Sequence, residues 1–127
     1  MTALNNDKLK IITAFRKYTR LGLASNYLSP FVAYRRIQGV SRNITEAYDL
    51  LAVYDTVRFL KFIGKDEVLK AVEAIYLTDY KSLKKRNAVS MRVIRYAYEI
   101  NYDERTVYRQ LEYARKIYSE IRKSYKQ

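Results

Sequence analysis

The chain has 127 residues, carries 25 lysine and arginine side chains against 13 acidic ones, for a formal net charge of +12, and contains no cysteine and no histidine. The missing cysteine excludes a disulfide framework, thiolate zinc sites and a cysteine nucleophile, and the missing histidine removes the commonest general base and metal ligand. The excess of positive charge favours a polyanionic partner, which DNA, RNA or an anionic membrane would each satisfy.

Apolar residues recur at helical spacing along nearly the whole sequence, and three glycines and one proline are too few for a turn-rich β fold. We therefore predict an all-α fold of five to seven helices with no sheet. The first helix ends near Gly22 and is marked by apolar side chains three residues apart: Leu9, Ile12, Phe15 and Tyr18. The pair Ser29-Pro30, an N-cap followed by proline, starts a second helix that ends near Gly39. Its apolar residues are Phe31, Tyr34 and Ile37.

Two further helices are predicted to form a hairpin at Gly64. Thr45 is the expected N-cap of the third helix, with Glu46 in its first turn, and Gly64 is its expected left-handed end. After a turn of one to two residues, Asp66 is the expected N-cap of the fourth helix. The apolar stripe of the third helix is expected at Tyr48, Leu51, Ala52, Phe59, Phe62 and Ile63. That of the fourth helix is expected at Val68, Val72, Ile75 and Tyr76.

The segment from Lys81 to Ser90, KSLKKRNAVS, breaks the apolar rhythm and is interpreted as a basic connector. The charge changes at the same point, because residues 1–80 hold 12 basic and 8 acidic side chains whereas residues 81–127 hold 13 and 5. We therefore predict two parts. Residues 1–80 form a helical N-terminal bundle for oligomerisation or polymerase contact, and residues 81–127 form the basic part that binds nucleic acid.

Three residues in the basic part have the spacing of a helix-turn-helix. Ala97 supplies a small side chain where two helices cross closely, Asn101 tolerates positive φ at the turn, and Val107 packs back on the first helix. Asp103 stands where the second helix must begin and is a favoured N-cap. Leu111 continues the buried seam. The fold prediction is thus a small helical domain with a C-terminal helix-turn-helix and a long last helix that ends near Tyr125.

The stretch YAYEINYDERTVYRQLEYARK resembles region 4 of bacterial sigma factors and the related helix-turn-helix of phage late-transcription regulators of the ArpU and RinA type. In that pattern an alanine is followed by glycine, serine and Thr-Val. The matching residues here are Ala97, Asn101, Asp103, Thr106 and Val107, with Asn101 replacing the glycine and Asp103 the serine. The resemblance covers about a quarter of the chain and implies a sequence-specific transcription regulator of phage or mobile-element late genes.

The expected DNA contacts follow from this motif, because such helices read base edges with their N-terminal turns. The outward residues there are Glu104, Arg105, Thr106, Tyr108 and Arg109. Arg105 and Arg109 lie one helical turn apart and suit bidentate contacts to guanine. Contacts to the DNA backbone are expected from Lys84, Lys85, Arg86, Ser90, Arg92 and Arg95. A solvated face is expected for the distal basic residues Arg115, Lys116, Arg122 and Lys123.

Two alternative functions stay open at this level. A small terminase subunit or other DNA-packaging factor also joins a helix-turn-helix to an oligomerisation segment, but assembles into rings. A protein-interaction module would use its basic face to bind an acidic protein. Most of the fourteen tyrosines are expected to pack in the core rather than stack on bases or act as nucleophiles.

No catalytic motif, Gly-rich phosphate loop or metal-ligand spacing is recognisable, so we expect no enzyme activity, no metal and no cofactor. Double-stranded DNA is the expected partner, with RNA polymerase and a second copy of the chain open as further partners. A membrane span is not expected, because no window approaches about 18 apolar residues. A peripheral membrane role is a weak alternative, because the charged residues are spread round several helices rather than lined up opposite one apolar face. The N-terminus lacks a signal-peptide pattern, so the expected location is the cytoplasm of a bacterial host cell.

Overall fold

A computed structural model describes residues 3–24, 28–78 and 88–125 of the chain. These residues form six α-helices and no strand, which confirms the predicted all-α fold. The helices are α1 Ala3–Arg20, α2 Pro30–Val40, α3 Ile44–Phe62, α4 Asp66–Ile75, α5 Ala88–Ile100 and α6 Glu104–Ser124. Across the described ranges, no helix combines the length and the apolar character that a membrane crossing needs.

The first helix matches its predicted stripe except at one position. Ile12, Phe15 and Tyr18 are buried, whereas Leu9 is 56% exposed and Ile11 is buried in its stead. The core therefore uses two successive residues of α1, because the helix packs against both α3 and α6.

The second helix begins as predicted. The Ser29 hydroxyl accepts a hydrogen bond from the Val32 N–H at 3.5 Å, and Pro30 occupies the first helical position. The helix continues one residue past Gly39. Only Ala33 and Ile37 of α2 are buried, and the predicted apolar residues Phe31 and Tyr34 are exposed.

The third helix is central and packs against α1, α2, α4 and α6. Its buried residues consequently occupy several sides of the helix: Glu46, Ala47, Leu50, Ala52, Val53, Tyr54, Thr56 and Leu60. The predicted stripe is wrong over the last turns, where Phe59, Phe62 and Ile63 are exposed. A helix with neighbours on several sides has no single apolar stripe, so periodicity does not identify its buried residues.

Two predicted N-caps are wrong by one or two residues. The α3 cap is Asn43 rather than Thr45, because the Asn43 side chain accepts from the Glu46 N–H at 2.9 Å. Glu46 in turn accepts from the Arg42 N–H at 2.9 Å. These two bonds start α3 earlier than predicted. Asp66 is already helical, and Lys65 precedes α4 without a side-chain cap bond.

The predicted left-handed end of α3 at Gly64 is confirmed by its φ of 76°. The Gly64 N–H donates to the Lys61 carbonyl at 3.2 Å, and the Lys65 N–H donates to the Leu60 carbonyl at 2.9 Å. The connection to α4 thus takes residues 63–65, one more than the predicted maximum of two, because this hydrogen-bonded end needs a residue after the glycine.

Helices α4, α5 and α6 pack against one another, and α6 also packs along α1 and α3. The predicted stripe of α4, consisting of Val68, Val72, Ile75 and Tyr76, is buried. The Tyr76 ring lies 5.5 Å from the Phe15 ring, which in turn lies 5.7 Å from the Tyr118 ring. Helices from both sides of residue 80 therefore contribute to one buried cluster. Residues 79–87, where the predicted boundary falls, lie outside the described residues, and the division into two parts stays a prediction.

Candidate nucleic-acid interface

The turn between α5 and α6 depends on one left-handed residue. Asn101 has a φ of 59° and is the one non-glycine residue with positive φ in the described part of the chain. Its N–H donates to the Tyr98 carbonyl at 3.2 Å, and the Tyr102 N–H donates to the Ala97 carbonyl at 2.8 Å. This pair of bonds is a Schellman motif, which ends a helix and redirects the chain. Asparagine is the residue that best replaces glycine in that conformation.

The second helix of the motif starts with a side-chain cap. Asp103 has extended dihedral angles, φ −71° and ψ 139°, and its carboxylate accepts from the Arg105 N–H at 3.0 Å. Its backbone carbonyl also accepts from the Thr106 N–H at 3.0 Å. The acidic side chains of Asp103 and Glu104 lie at the positive end of the helix dipole, which favours the start of α6 at this position.

The seam between the two helices is fully buried. Val93 and Ala97 of α5 and Val107 and Leu111 of α6 are at most 2% exposed. Helix α4 packs against both α5 and α6 and supports the seam from behind. The orientation of α6 relative to α5 is consequently fixed by a core of three helices rather than by the turn alone.

The side chains predicted to read bases are all exposed: Glu104, Arg105, Thr106, Tyr108 and Arg109. At 100° per residue, Arg105 and Arg109 lie on the side of α6 opposite the buried Val107 and Ala114. Among the described residues, neither guanidinium forms an ion pair. Two unneutralised arginines one turn apart therefore face away from the protein at the beginning of α6.

The residues predicted to contact the DNA backbone are only partly described. Ser90 and Arg95 are exposed on α5, and Arg92 is half-buried on the same helix. Lys84, Lys85 and Arg86 lie in residues 81–87, outside the described residues. The first two turns of α5 thus carry three of the six predicted contacts.

The distal half of α6 is attached to the rest of the fold by polar contacts that the sequence did not indicate. The Arg115 guanidinium donates to the Tyr76 hydroxyl at 2.8 Å, and the Arg122 Nε donates to the Asp49 carboxylate at 2.7 Å. The Tyr125 hydroxyl donates to the Asp55 carboxylate. The expected solvated face is therefore wrong for Arg115 and Arg122.

Lys116 and Lys123 are exposed, so the predicted solvated face is confirmed for these two lysines. Arg115 and Arg122 bind partners that lie 39 and 73 residues away in the sequence, and contacts at such separations leave no local signal. These contacts hold the distal half of α6 against α3 and α4 and leave its first turns outward.

Two tyrosines near the motif keep their protons at neutral pH. Burial raises the pKa of the Tyr76 hydroxyl, although the Arg115 guanidinium acts in the opposite direction. A hydrogen bond with the Glu67 carboxylate raises the pKa of Tyr102 in the turn. The Tyr102 hydroxyl is thus a hydrogen-bond donor to Glu67, whereas the Tyr76 hydroxyl accepts the bond from Arg115. Within the described ranges, no group of three or more acidic side chains is arranged to hold a metal ion.

Comparison with protein-family models, with curated proteins and with solved structures found no match for this chain.

Proposed function

We propose that this protein is a sequence-specific DNA-binding transcription regulator that inserts the first two turns of α6 into the major groove. The proposal rests on the geometry of the α5–α6 turn together with the two arginines that follow it. A left-handed Asn101 and a capping Asp103 start a helix whose exposed first turns present Arg105 and Arg109 without a neutralising carboxylate. B-DNA admits an α-helix in its major groove, and arginine is the commonest residue in specific contacts to guanine there.

Different side chains at the start of α6 would perform different tasks. Arg105 and Arg109 would each donate two hydrogen bonds to a guanine edge, and Glu104 would accept from the amino group of a cytosine. Thr106 would pack its methyl group on a thymine methyl. The Tyr108 hydroxyl would reach a phosphate. These interactions read sequence mainly through the two arginines, because their forked donors match guanine and no other base.

Contacts to phosphates would set the position of the protein on the duplex. Ser90, Arg92 and Arg95 lie on α5, the helix that crosses the DNA backbone in helix-turn-helix proteins. Basic residues of the connector would extend this contact. The net charge of +12 adds a general attraction to DNA that weakens steeply as salt rises.

The finer assignment to late genes of a phage or mobile element comes from the resemblance of Tyr96–Lys116 to the ArpU and RinA type of regulator. In this proposal the bacterial cytoplasm is the site of action, and binding rather than catalysis is the activity. RNA polymerase and a second copy of the chain remain predicted partners.

The experiment begins with selection of duplexes from a random pool by the purified chain, because the sequence does not give the operator. Fluorescence anisotropy then measures binding of the best duplex by the wild type, Arg105→Ala and Arg109→Ala. Each substitution should weaken binding by about 1–3 kcal/mol and relax the preference at one base pair. Lys116→Ala is the matched control, since Lys116 is an exposed cation of the same helix beyond its first turns.

The control should weaken binding to all duplexes alike and reduce the salt dependence slightly. Selection without any enriched sequence would contradict the proposed specificity. Equal effects of all three substitutions would contradict the assignment of the reading positions.

A further inference from the structure

Two phenylalanines are exposed on the N-terminal part of the fold, away from the start of α6 in sequence. Phe31 of α2 is 70% exposed and Phe62 at the end of α3 is 88% exposed. Exposed aromatic side chains mark interaction surfaces where they form part of a larger patch. The proposed DNA contacts use neither residue.

The packing of α2 on α3 places the start of α2, which carries Phe31, beside the second half of α3, which ends at Phe62. The Tyr34 hydroxyl donates to the Asp55 carboxylate at 3.3 Å, and the Tyr34 ring lies 6.0 Å from the Tyr54 ring. Because the Tyr54 hydroxyl donates to the Leu28 carbonyl, the beginning of α2 lies beside the second half of α3. Phe62 follows Asp55 by two helical turns and therefore lies on the side of α3 that faces α2.

Positive charge lies beside Phe31 and on the adjacent turn of α3. Helix α2 carries Arg35 and Arg36 and has no acidic residue. The Arg35 guanidinium lies 5.7 Å from the centre of the Phe31 ring, and the Arg58 guanidinium lies 5.7 Å from the centre of the Tyr54 ring. Val32, Arg35 and Arg36 line an open pocket of about 290 Å³. We define the α2–α3 patch as Phe31, Val32, Arg35, Arg36, Arg58 and Phe62.

We propose that the α2–α3 patch binds an acidic amphipathic segment of another protein. Apolar side chains of that segment would cover Phe31 and Phe62, and its carboxylates would pair with Arg35 and Arg36. Such complementarity of charge guides association and excludes wrong partners. This proposal is independent of the proposed function, because it uses residues of α2 and α3 that the proposed DNA contacts do not use.

The chemistry of the patch disfavours two other occupants. In a symmetric dimer each patch would meet its own copy, which would bring the arginines of both copies together. A DNA duplex offers phosphates to the arginines but no apolar surface for Phe31 and Phe62. An acidic amphipathic peptide satisfies both components of the patch.

The test selects ligands from a displayed library of random peptides, each long enough for about four helical turns, on the immobilised full chain. We expect enriched peptides that combine aspartate or glutamate with apolar residues at helical spacing. Binding of the best synthetic peptide is then measured by fluorescence anisotropy. The double variant Arg35→Glu/Arg36→Glu and the single variant Phe62→Ser should each weaken it by about tenfold or more.

The control is Lys116→Glu/Lys123→Glu, which makes the same change of net charge on exposed residues of α6 and should leave peptide binding within about twofold of the wild type. Circular dichroism verifies that each variant keeps its helices. Peptides without acidic residues, no enrichment, or equal losses in both double variants would each overturn the proposal. A dimer in light scattering that Phe62→Ser dissociates, or duplex binding lost with Arg35→Glu/Arg36→Glu, would assign the patch to a second copy or to DNA instead.

Discussion

Substitution of Asn101 tests whether the α5–α6 turn depends on a left-handed residue. An L-residue other than asparagine or glycine pays about 1–2 kcal/mol in this conformation, and asparagine pays less. The Asn101 side chain is exposed, so replacing it removes no buried surface and changes mainly the backbone energy. Asn101→Val should therefore lower the free energy of unfolding by about 1–2 kcal/mol. Asn101→Gly should change it by no more than about 0.5 kcal/mol, because relief of strain is offset by the larger entropy of the unfolded chain.

Urea unfolding followed by circular dichroism measures these differences as shifts of the midpoint at constant slope. Glu99→Val is the matched control, because Glu99 is also exposed but has ordinary helical geometry in α5. That control should cost only about 0.5 kcal/mol through helix propensity. If Asn101→Val is no more destabilising than Glu99→Val, Asn101 does not adopt the left-handed conformation and the described turn is wrong.

Substitutions at three further positions test the cap, the core and a partly buried ion pair. Asp103→Ala should lower the free energy of unfolding by about 1 kcal/mol and Asp103→Ser should nearly restore it, since serine also caps helices; equal losses in urea unfolding would contradict the cap. Leu111→Ala should cost about 2–5 kcal/mol, because Leu111 is fully buried, and a cost below about 1 kcal/mol in the same assay would contradict the packed seam. Bonds from Lys17 and Arg42 lower the pKa of Glu46 from 4.5 to about 2. The stabilisation of the fold by the ionised Glu46 carboxylate is therefore present above pH 4.5 and is lost as the pH falls toward 2. Unfolding measured across that range should show a shallower loss in Glu46→Gln than in the wild type, and identical pH profiles would exclude the pair.

Local signals in the sequence predicted the helix ends that depend on a single residue. Ser29, Gly64 and Asn101 adopt the conformations expected of them, because a cap or a left-handed turn is determined by one side chain and its immediate neighbours. Thr45 failed as a cap because two competing hydrogen bonds, accepted by the side chains of Asn43 and Glu46, start α3 earlier.

Properties that depend on several helices were predicted less well. The stripe of α3 was wrong because four other helices surround it, and no periodic pattern survives in a helix buried on several sides. The attachment of α6 through Arg122 and Asp49 joins residues 73 positions apart, which only the folded chain brings together. The exposed Phe31 and Phe62 were likewise expected in the core, because hydrophobic residues at helical spacing do not reveal which face lacks a neighbour.

The turn before α6 and the exposure of its first residues were predictable, because both depend on local signals. Spacing identified Ala97, Asn101 and Val107, and the outward direction of Arg105 and Arg109 followed from the helical repeat. The bond from Arg115 to Tyr76 was not predictable, although it helps to fix the direction in which α6 emerges from the core.

The most direct test of DNA binding by α6 is DNA cleavage by an iron chelate attached to that helix. The chain has no native cysteine, so a single introduced cysteine can carry the chelate. Glu112→Cys lies just beyond the proposed reading turns, and Lys123→Cys lies about 16 Å further along the same helix at 1.5 Å per residue. On the selected duplex, the chelate at residue 112 should cut both strands at a few adjacent base pairs around the reading site, and the chelate at residue 123 should cut weakly or not at all. Equal cleavage from both positions, or none from residue 112 while the duplex is bound, would contradict insertion of the α6 N-terminus into DNA.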